Sequence, residues 1–463
     1  MRAVAPIALL TVLSAALTCA AAESFLTGSL VKEVSCQADP TQTYTLYLPS
    51  SYDTAKRWPV LLVFDPRGRS VRAAERFREA AEANGWIILS SDNTRSDGSA
   101  EPNIRALNAM WPELRRFAVD PRRIYLAGFS GGAHLAWGLA RETGAVAGVI
   151  ASGGRCLTQL LEDATFDHFL TAGTTDFNYR EMRQVERLTI HQGQPNRFEL
   201  FDGPHDWPPE PLARQAVEWL ELQSMRRGLR PRDEKLVKRL LEEDLATASE
   251  LEAKGQELQA MRRYQAIAAS YAGLVDVEAA VQRSAELDGS PAVKDSLRLE
   301  KRCEGWETHQ RDETAQLLVA FQEAETATPV KALLRELGVT SLQKKAQIDG
   351  WEGVTAQRLL NTLLVDTSFY LSRDLLAHKR WGHAAAILTV ATTIRPTEPV
   401  AWYNLACALA RSGRRDESVE ALGKAVANGF SDRKLLAEDP DLEAIRELPA
   451  YECLRDSLPP PAG

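Results

Sequence analysis

Arg123-Ile124-Tyr125-Leu126-Ala127-Gly128-Phe129-Ser130-Gly131-Gly132-Ala133-His134 opens as a short apolar run with β-branched and aromatic members, then meets Gly-Phe-Ser-Gly-Gly. Beyond the serine the sequence continues at helical spacing through Leu139 and Ala140. Strand, sharp turn and helix with a serine at the apex is the setting that a G-x-S-x-G nucleophile requires. So tight a turn puts Ser130 in strained backbone geometry. Gly128 and Gly132 lack a Cβ, so strand and helix can approach closely there. The Ser130 hydroxyl is expected above the carboxyl ends of a parallel sheet, with the N–H of Gly131 pointing at whatever the serine attacks. A purely structural Gly/Ser turn is the plainer reading, and the flanking strand and helix weigh against it.

On either side of this stretch, strand-like and helix-like runs alternate. Leu30 to Cys36, Tyr44 to Leu48 and the continuously apolar Val60-Leu61-Leu62-Val63-Phe64 come first; the last has the character of a strand buried on both faces. A helical period over Ala73 to Ala83 closes at Asn84-Gly85, and Trp86 to Ser90 is the next buried strand. Downstream lie a strand and loop over Val146 to Gly154, Phe166 to Leu170 leading into Thr171 to Asp176, and Arg197 to Phe201, then an amphipathic helix over Pro211 to Gln223. Such alternation predicts βαβ units, a mainly parallel sheet flanked by helices and an α/β fold class. Ligands of such sheets sit at the carboxyl ends of the strands, where the loops of interest leave.

A serine hydroxyl is a weak nucleophile until a histidine takes its proton. Of seven histidines, His205 alone lies in a Gly/Pro/Trp-rich loop after a late strand, Gly203-Pro204-His205-Asp206-Trp207. His134 is one turn past the serine and is expected to pack beneath the turn. His168 falls in a strand pattern and His191 between elements. The orienting acid belongs on a loop between nucleophile and base, and Asp176 ends the run Phe169 to Thr175 at that place. Asp167 precedes its strand, and Asp202 and Asp206 lie too near His205 in sequence. The oxyanion of the reaction needs two donors. Gly131 supplies one N–H, and the loop Asp65-Pro66-Arg67-Gly68-Arg69 is expected to supply the other from Arg67 or Gly68, since Pro66 has none. Trp207, beside the histidine, is placed at the substrate. No cofactor or metal is called for.

Residues 28–225 resemble a compact α/β-hydrolase of the esterase-D and feruloyl-esterase-like kind, on Gly-Phe-Ser130-Gly-Gly, Gly-Thr-Thr-Asp176 and Gly-Pro-His205-Asp-Trp in that order. The resemblance implies a serine carboxylic ester hydrolase acting through an acyl-enzyme on a small or exposed ester. Asp-Pro-Arg-Gly stands where relatives commonly carry a His-Gly-rich sequence. A serine peptidase with the same triad is the alternative among enzymes; an inactive interaction scaffold is the alternative outside them.

Past Gly228 strands give way to charged helical patterns, with Arg230-Pro231-Arg232-Asp233 at the junction. Within 365–432 two segments align, each of about 34 residues. Trp402, Leu405, Ala406, Leu409, Ser418, Leu422 and Ala425 of the second, and Leu371, Leu375, Ala384, Leu388, Ala391 and Pro396 of the first, occupy the repeating positions of a helix pair. They resemble tetratricopeptide repeats, with Ser418 where alanine is usual and no Trp in the first copy. The expected organisation is a leader at 1–22, an α/β-hydrolase domain at 23–228 and a helical region at 229–364. Two repeat-like segments at 365–432 and a C-terminal helix with a disordered tail at 433–463 complete it. Stacked repeats offer a surface for a protein or peptide partner or for a homodimer.

Arg2, the apolar Ile7 to Leu17 and Ala20-Ala21-Ala22 form a secretory leader, so the protein is expected to be exported, periplasmic or secreted, without stable membrane insertion. Cys36, Cys156, Cys303, Cys407 and Cys453 then remain, with no C-x-x-C spacing that would suggest zinc. Disulfides are open in an oxidising compartment; Cys407 reads as a buried small hydrophobe. A chain of 463 residues with 44% apolar and 25% charged residues is a folded protein of several domains. Its net charge of −8, without a basic block, argues against a nucleic-acid partner.

Overall fold

The computed structural model of the protein describes residues 25–156 and 158–459; the expected leader and all but the start of the Pro-rich tail lie outside them. The chain divides into two compact units, one running to Ser296 and the other starting at Leu297. The junction expected at Gly228 lies inside the first unit, beyond its last strand, which ends at Phe201.

In the first unit, among the described residues, eight strands form one sheet: β1 (Leu30–Ser35), β2 (Thr43–Tyr47), β3 (Trp58–Phe64), β4 (Ile87–Ser91), β5 (Val119–Phe129), β6 (Gly148–Ser152), β7 (Asp167–Gly173) and β8 (Asn196–Phe201). Their order is β1-β2-β4-β3-β5-β6-β7-β8. β1 and β2 pair antiparallel, as do β2 and β4, and every other pairing is parallel. The helices between them are α1 (Ser70–Asn84), α2 (Glu101–Glu113), α3 (Gly131–Thr143), α4 (Tyr179–His191) and α5 (Glu210–Arg226).

Side-chain alternation explains why β3 reads as unbroken apolar sequence. Val60, Leu62 and Phe64 join a core with Met110 of α2, Trp137 of α3 and Met182 of α4. Leu61 and Val63 point to the other face and pack with Phe77 of α1 and Leu220 of α5. Helix α4 was not expected. Its sequence is charged, and its buried residues are only Tyr179, Met182, Val185 and Thr189, a stripe too narrow to stand out. His191, read as lying between elements, is its last residue. His134 is exposed on α3 and does not pack beneath the turn.

Three further helices complete this unit: α6 (Glu234–Ala253), capped by the Asp233 side chain, α7 (Glu257–Tyr271) and α8 (Glu278–Gly289). Of these, α6 and α7 are tied to the edge strand β8 through a buried polar cluster. Arg197 of β8 donates to both carboxylate oxygens of Asp244 on α6, at 2.9 and 2.6 Å, and to Glu199 at 2.7 Å. Arg263 of α7 donates to Glu199 at 2.7 Å, and the Tyr271 hydroxyl to Asp244 at 2.9 Å. Burial by itself would raise the Asp244 carboxyl; hydrogen bonds from Arg197 and the charges of Arg197 and Arg263 outweigh it and hold the group below its ordinary value.

Removing one member of a buried ion pair strands the other, at about 3–5 kcal/mol. Asp244→Ala is therefore expected to lower the urea midpoint of the full chain at neutral pH. Because the folded-state value is depressed, the Asp244 contribution is complete above the unfolded value near ~3.9 and fades as pH falls below it. The gap between wild type and variant should narrow on acidification through that range; a gap independent of pH would count against this role.

The second unit is helical. Helix α9 (Pro291–Glu323) leads into it, followed by α10 (Val330–Glu336), α11 (Val339–Lys345) and α12 (Trp351–Val365). A π-helical turn, Asp366–Tyr370, joins α12 to α13 (Leu371–Ala377); α14 (Trp381–Ile394), α15 (Pro399–Arg411) and α16 (Arg415–Ala427) follow. Consecutive members of α13 to α16 pack on one another around Leu375, Leu388, Leu405, Leu409 and Leu422. Ser418 is accommodated in this core because its hydroxyl donates to the Ala406 carbonyl at 2.7 Å. The short α17 (Arg433–Glu438) and α18 (Pro449–Ser457) end the described chain. Cys36, Cys303, Cys407 and Cys453 are not joined in disulfides, and Cys407 is buried. Among the described residues no helix is long and apolar enough to cross a membrane.

Candidate active site

Strand β5 ends at Phe129 and α3 begins at Gly131, leaving Ser130 alone between them at φ 54°, ψ −120°. Left-handed backbone at a non-glycine residue is strained, and here it turns the side chain out of a strand-to-helix corner. The corner is as tight as its glycines imply: a Cβ at 132 would stand 2.0 Å from the Phe64 carbonyl oxygen, and one at 128 would stand 2.1 Å from that of Gly132. The Ser130 N–H donates to the Ser152 carbonyl at 2.9 Å, which ties the corner to the end of β6. As the first residue of α3, Gly131 carries an N–H with no acceptor inside the helix.

Asp176 and His205 come together from 29 positions apart. Asp176 follows β7 and is fully buried; His205 lies on the loop after β8, and its side chain is 17% exposed. Nδ1 of His205 is 2.8 Å from Oδ1 of Asp176, the same oxygen that accepts the Asn178 N–H at 2.7 Å. Oδ2 of Asp176 is buried and without a partner. The loops that carry the pair are laced together, Thr174 and Thr175 donating their N–H groups to Phe201 and Gly203.

The serine corner and the Asp–His pair lie close together at the carboxyl end of the sheet. Phe129, the residue before Ser130, has its ring centroid 4.5 Å from that of His205. Gly153, following β6, fits between the groups: a Cβ there would lie 2.6 Å from Asp176 Oδ2 and 3.0 Å from His205 Nδ1. Phe177 covers the imidazole from another side at 4.1 Å. Phe129, Phe177, Asn178 and Gly153 were not singled out as site residues. Their signal was only adjacency to the nucleophile, the acid or a strand end.

Two expectations need correction. Trp207 is not a substrate wall. It is 2% exposed, lies against Phe77 and Phe129, and donates its indole N–H to Asp65 Oδ2 at 2.9 Å. It thus anchors the His205 loop from below. The second oxyanion donor is also misplaced, because both expected N–H groups are engaged within their own loop. Arg67 donates to the Asp65 carboxylate at 2.8 Å and Gly68 to the Asp65 carbonyl at 3.1 Å. An Asp two residues ahead of the N–H it binds is an Asx turn. Burial would raise the Asp65 carboxyl, yet hydrogen bonds from Arg69, Trp207 and the Arg67 N–H hold it below the usual carboxylate range. It remains the anion around which the loop is wrapped.

This sheet order, with a strained serine between β5 and α3 and an Asp–His pair after β7 and β8, is the α/β-hydrolase fold, followed by a large helical region. Three solved structures illustrate the likeness. FphF of Staphylococcus aureus, a fluorophosphonate-binding serine hydrolase, is 15% identical, with 39% of this chain and 92% of that one covered and a TM-score of 0.33. An S-formylglutathione hydrolase (FrmB) of the same organism is 16% identical over 42% and 98%, TM-score 0.34. A ferulic acid esterase is 17% identical over 39% and 91%, TM-score 0.33. No protein-family model matches the chain. No curated protein matches it in sequence.

Proposed function

We propose that the protein is a serine hydrolase that cleaves a carboxylic ester through an acyl-enzyme. One observation carries the reading: the Asp176–His205 hydrogen bond formed beside a serine held at φ 54°. Asp176 fixes Nδ1–H of the imidazole, so Nε2 is the basic nitrogen. As Ser130 Oγ bonds to the acyl carbon, its proton passes to Nε2 and the carbonyl π pair moves onto oxygen. The Gly131 N–H donates to that oxyanion. Collapse expels the alcohol, which takes the proton from Nε2. Water, deprotonated by the same nitrogen, then releases the acid and restores Ser130. The paired α13–α16 helices are read as tetratricopeptide-like, a surface for a peptide, a protein or a second copy, and the leader at 1–22 as a signal for export.

A fluorophosphonate probe tests the central reading on the full chain. One equivalent of label is expected on the peptide containing Ser130, with turnover of p-nitrophenyl and feruloyl esters by the same preparation. Absence of both label and turnover from folded protein would leave the scaffold reading in its place.

A further inference from the structure

With the N–H groups of Arg67 and Gly68 engaged, the oxyanion is left one donor short on the β3 side. The polar loop after β4 supplies a group that nothing in the fold has used. Ser96 donates its own N–H to the Pro66 carbonyl at 2.8 Å, so this loop is clamped onto the very loop that was expected to furnish the donor. The side-chain oxygen of Ser96 is buried and has no hydrogen-bond partner. It lies against the first residue after the nucleophile: a Cβ placed on Gly131 would be 1.9 Å from Ser96 Oγ. A buried hydroxyl left unpaired costs free energy, and a catalytic role is among the reasons a native structure keeps one.

We infer that Ser96 is a catalytic residue of this site, its hydroxyl donating the second hydrogen bond to the oxyanion beside the Gly131 N–H. The inference rests on the ester-hydrolase reading above. It assigns the role to a side chain where a backbone amide was expected. Ser96 exchanges no proton with the substrate; Ser130, His205 and water carry all the covalent steps as written. Its hydroxyl rotor is free to turn its hydrogen toward oxygen as negative charge develops, which is the condition for stabilising the tetrahedral state more than the ester. The absence of a side chain at Gly131 is what leaves room for this hydroxyl at the helix start.

Wild type, Ser96→Ala, Ser96→Thr and Ser130→Ala, each as the full chain, are compared on a p-nitrophenyl ester and by inhibition with an alkyl boronic acid, a tetrahedral analogue. Ser96→Ala is expected to lose about 10² to 10³ in kcat with KM changed by less than about threefold, as when one such donor is removed elsewhere. Boronate affinity should fall with kcat, while Ser96→Thr, which keeps the hydroxyl, retains most of both. The melting temperature of Ser96→Ala should not drop, since the lost hydroxyl had no partner. If Ser96→Ala keeps wild-type kcat while Ser130→Ala is dead, the Ser96 assignment falls and the hydrolase reading stands. A loss of kcat with unchanged boronate affinity also overturns the assignment. Wild-type protein with neither turnover nor labelling overturns both.

Discussion

Ser130→Ala is expected to lower kcat for ester hydrolysis by about 10⁶-fold, the scale seen when the serine of such a triad is removed, and to abolish fluorophosphonate labelling. The size follows from what remains. Without Oγ there is no acyl-enzyme, so His205 and the oxyanion donors can act only on water that the site was not shaped to hold. Folding should be unaffected, because alanine keeps the Cβ and the tight contacts of the corner concern Gly128 and Gly132. A companion variant separates chemistry from strain. At φ 54°, ψ −120° an L-residue is strained by about 1–3 kcal/mol, and glycine adopts that region freely. Ser130→Gly should therefore be as inactive as Ser130→Ala yet melt at a higher temperature. Equal melting temperatures would mean that the corner relaxes when the hydroxyl is lost, and would contradict the strained elbow.

Asp176→Asn should cost about 10⁴-fold in kcat while leaving the site assembled. Oδ1 of Asp176 accepts from both His205 Nδ1 and the Asn178 N–H, and Oδ2 has no partner. An asparagine with its amide oxygen at the Oδ1 position keeps both hydrogen bonds but carries no charge. Turned over, it gives up the Asn178 N–H and faces the imidazole with its NH2 as a donor, which selects the tautomer bearing hydrogen on Nε2. That nitrogen is then no base. The imidazolium formed during attack also loses the carboxylate that stabilised it. Burst kinetics with p-nitrophenyl acetate check the result: acylation and labelling rates should fall together while circular dichroism stays native. Undiminished acylation would mean that a different acid serves His205.

A good part of the site was legible along the chain because it depends on local chemistry. A G-x-S-x-G between a strand and a helix dictates its own backbone, and Ser130 is strained as that pattern requires. Strand ends followed by short polar loops pointed to Asp176 and His205, and the structure joins them. What escaped had long-range causes. The indole of Trp207 turned inward because its partner, Asp65, lies 142 positions away and needs donors once buried. The Arg67 N–H was lost to an Asx turn whose formation depends on where that same carboxylate settles. Ser96 and Gly153 carry no motif, and their importance lies in which loops the sheet order sets beside them.

By itself, then, the sequence determined the alternation of strands and helices, the period-2 sorting of β3 between two cores, and the geometry of the serine corner. Each of these is settled by residues within a turn or two of one another. Tertiary structure alone decided which aromatic rings lie against His205, where the indole of Trp207 points, and that α6 is tied to β8 through Arg197 and Asp244. Those outcomes hang on buried polar groups finding partners. Such partners are chosen by proximity in space across loops of unrelated sequence, where no periodicity along the chain can register them.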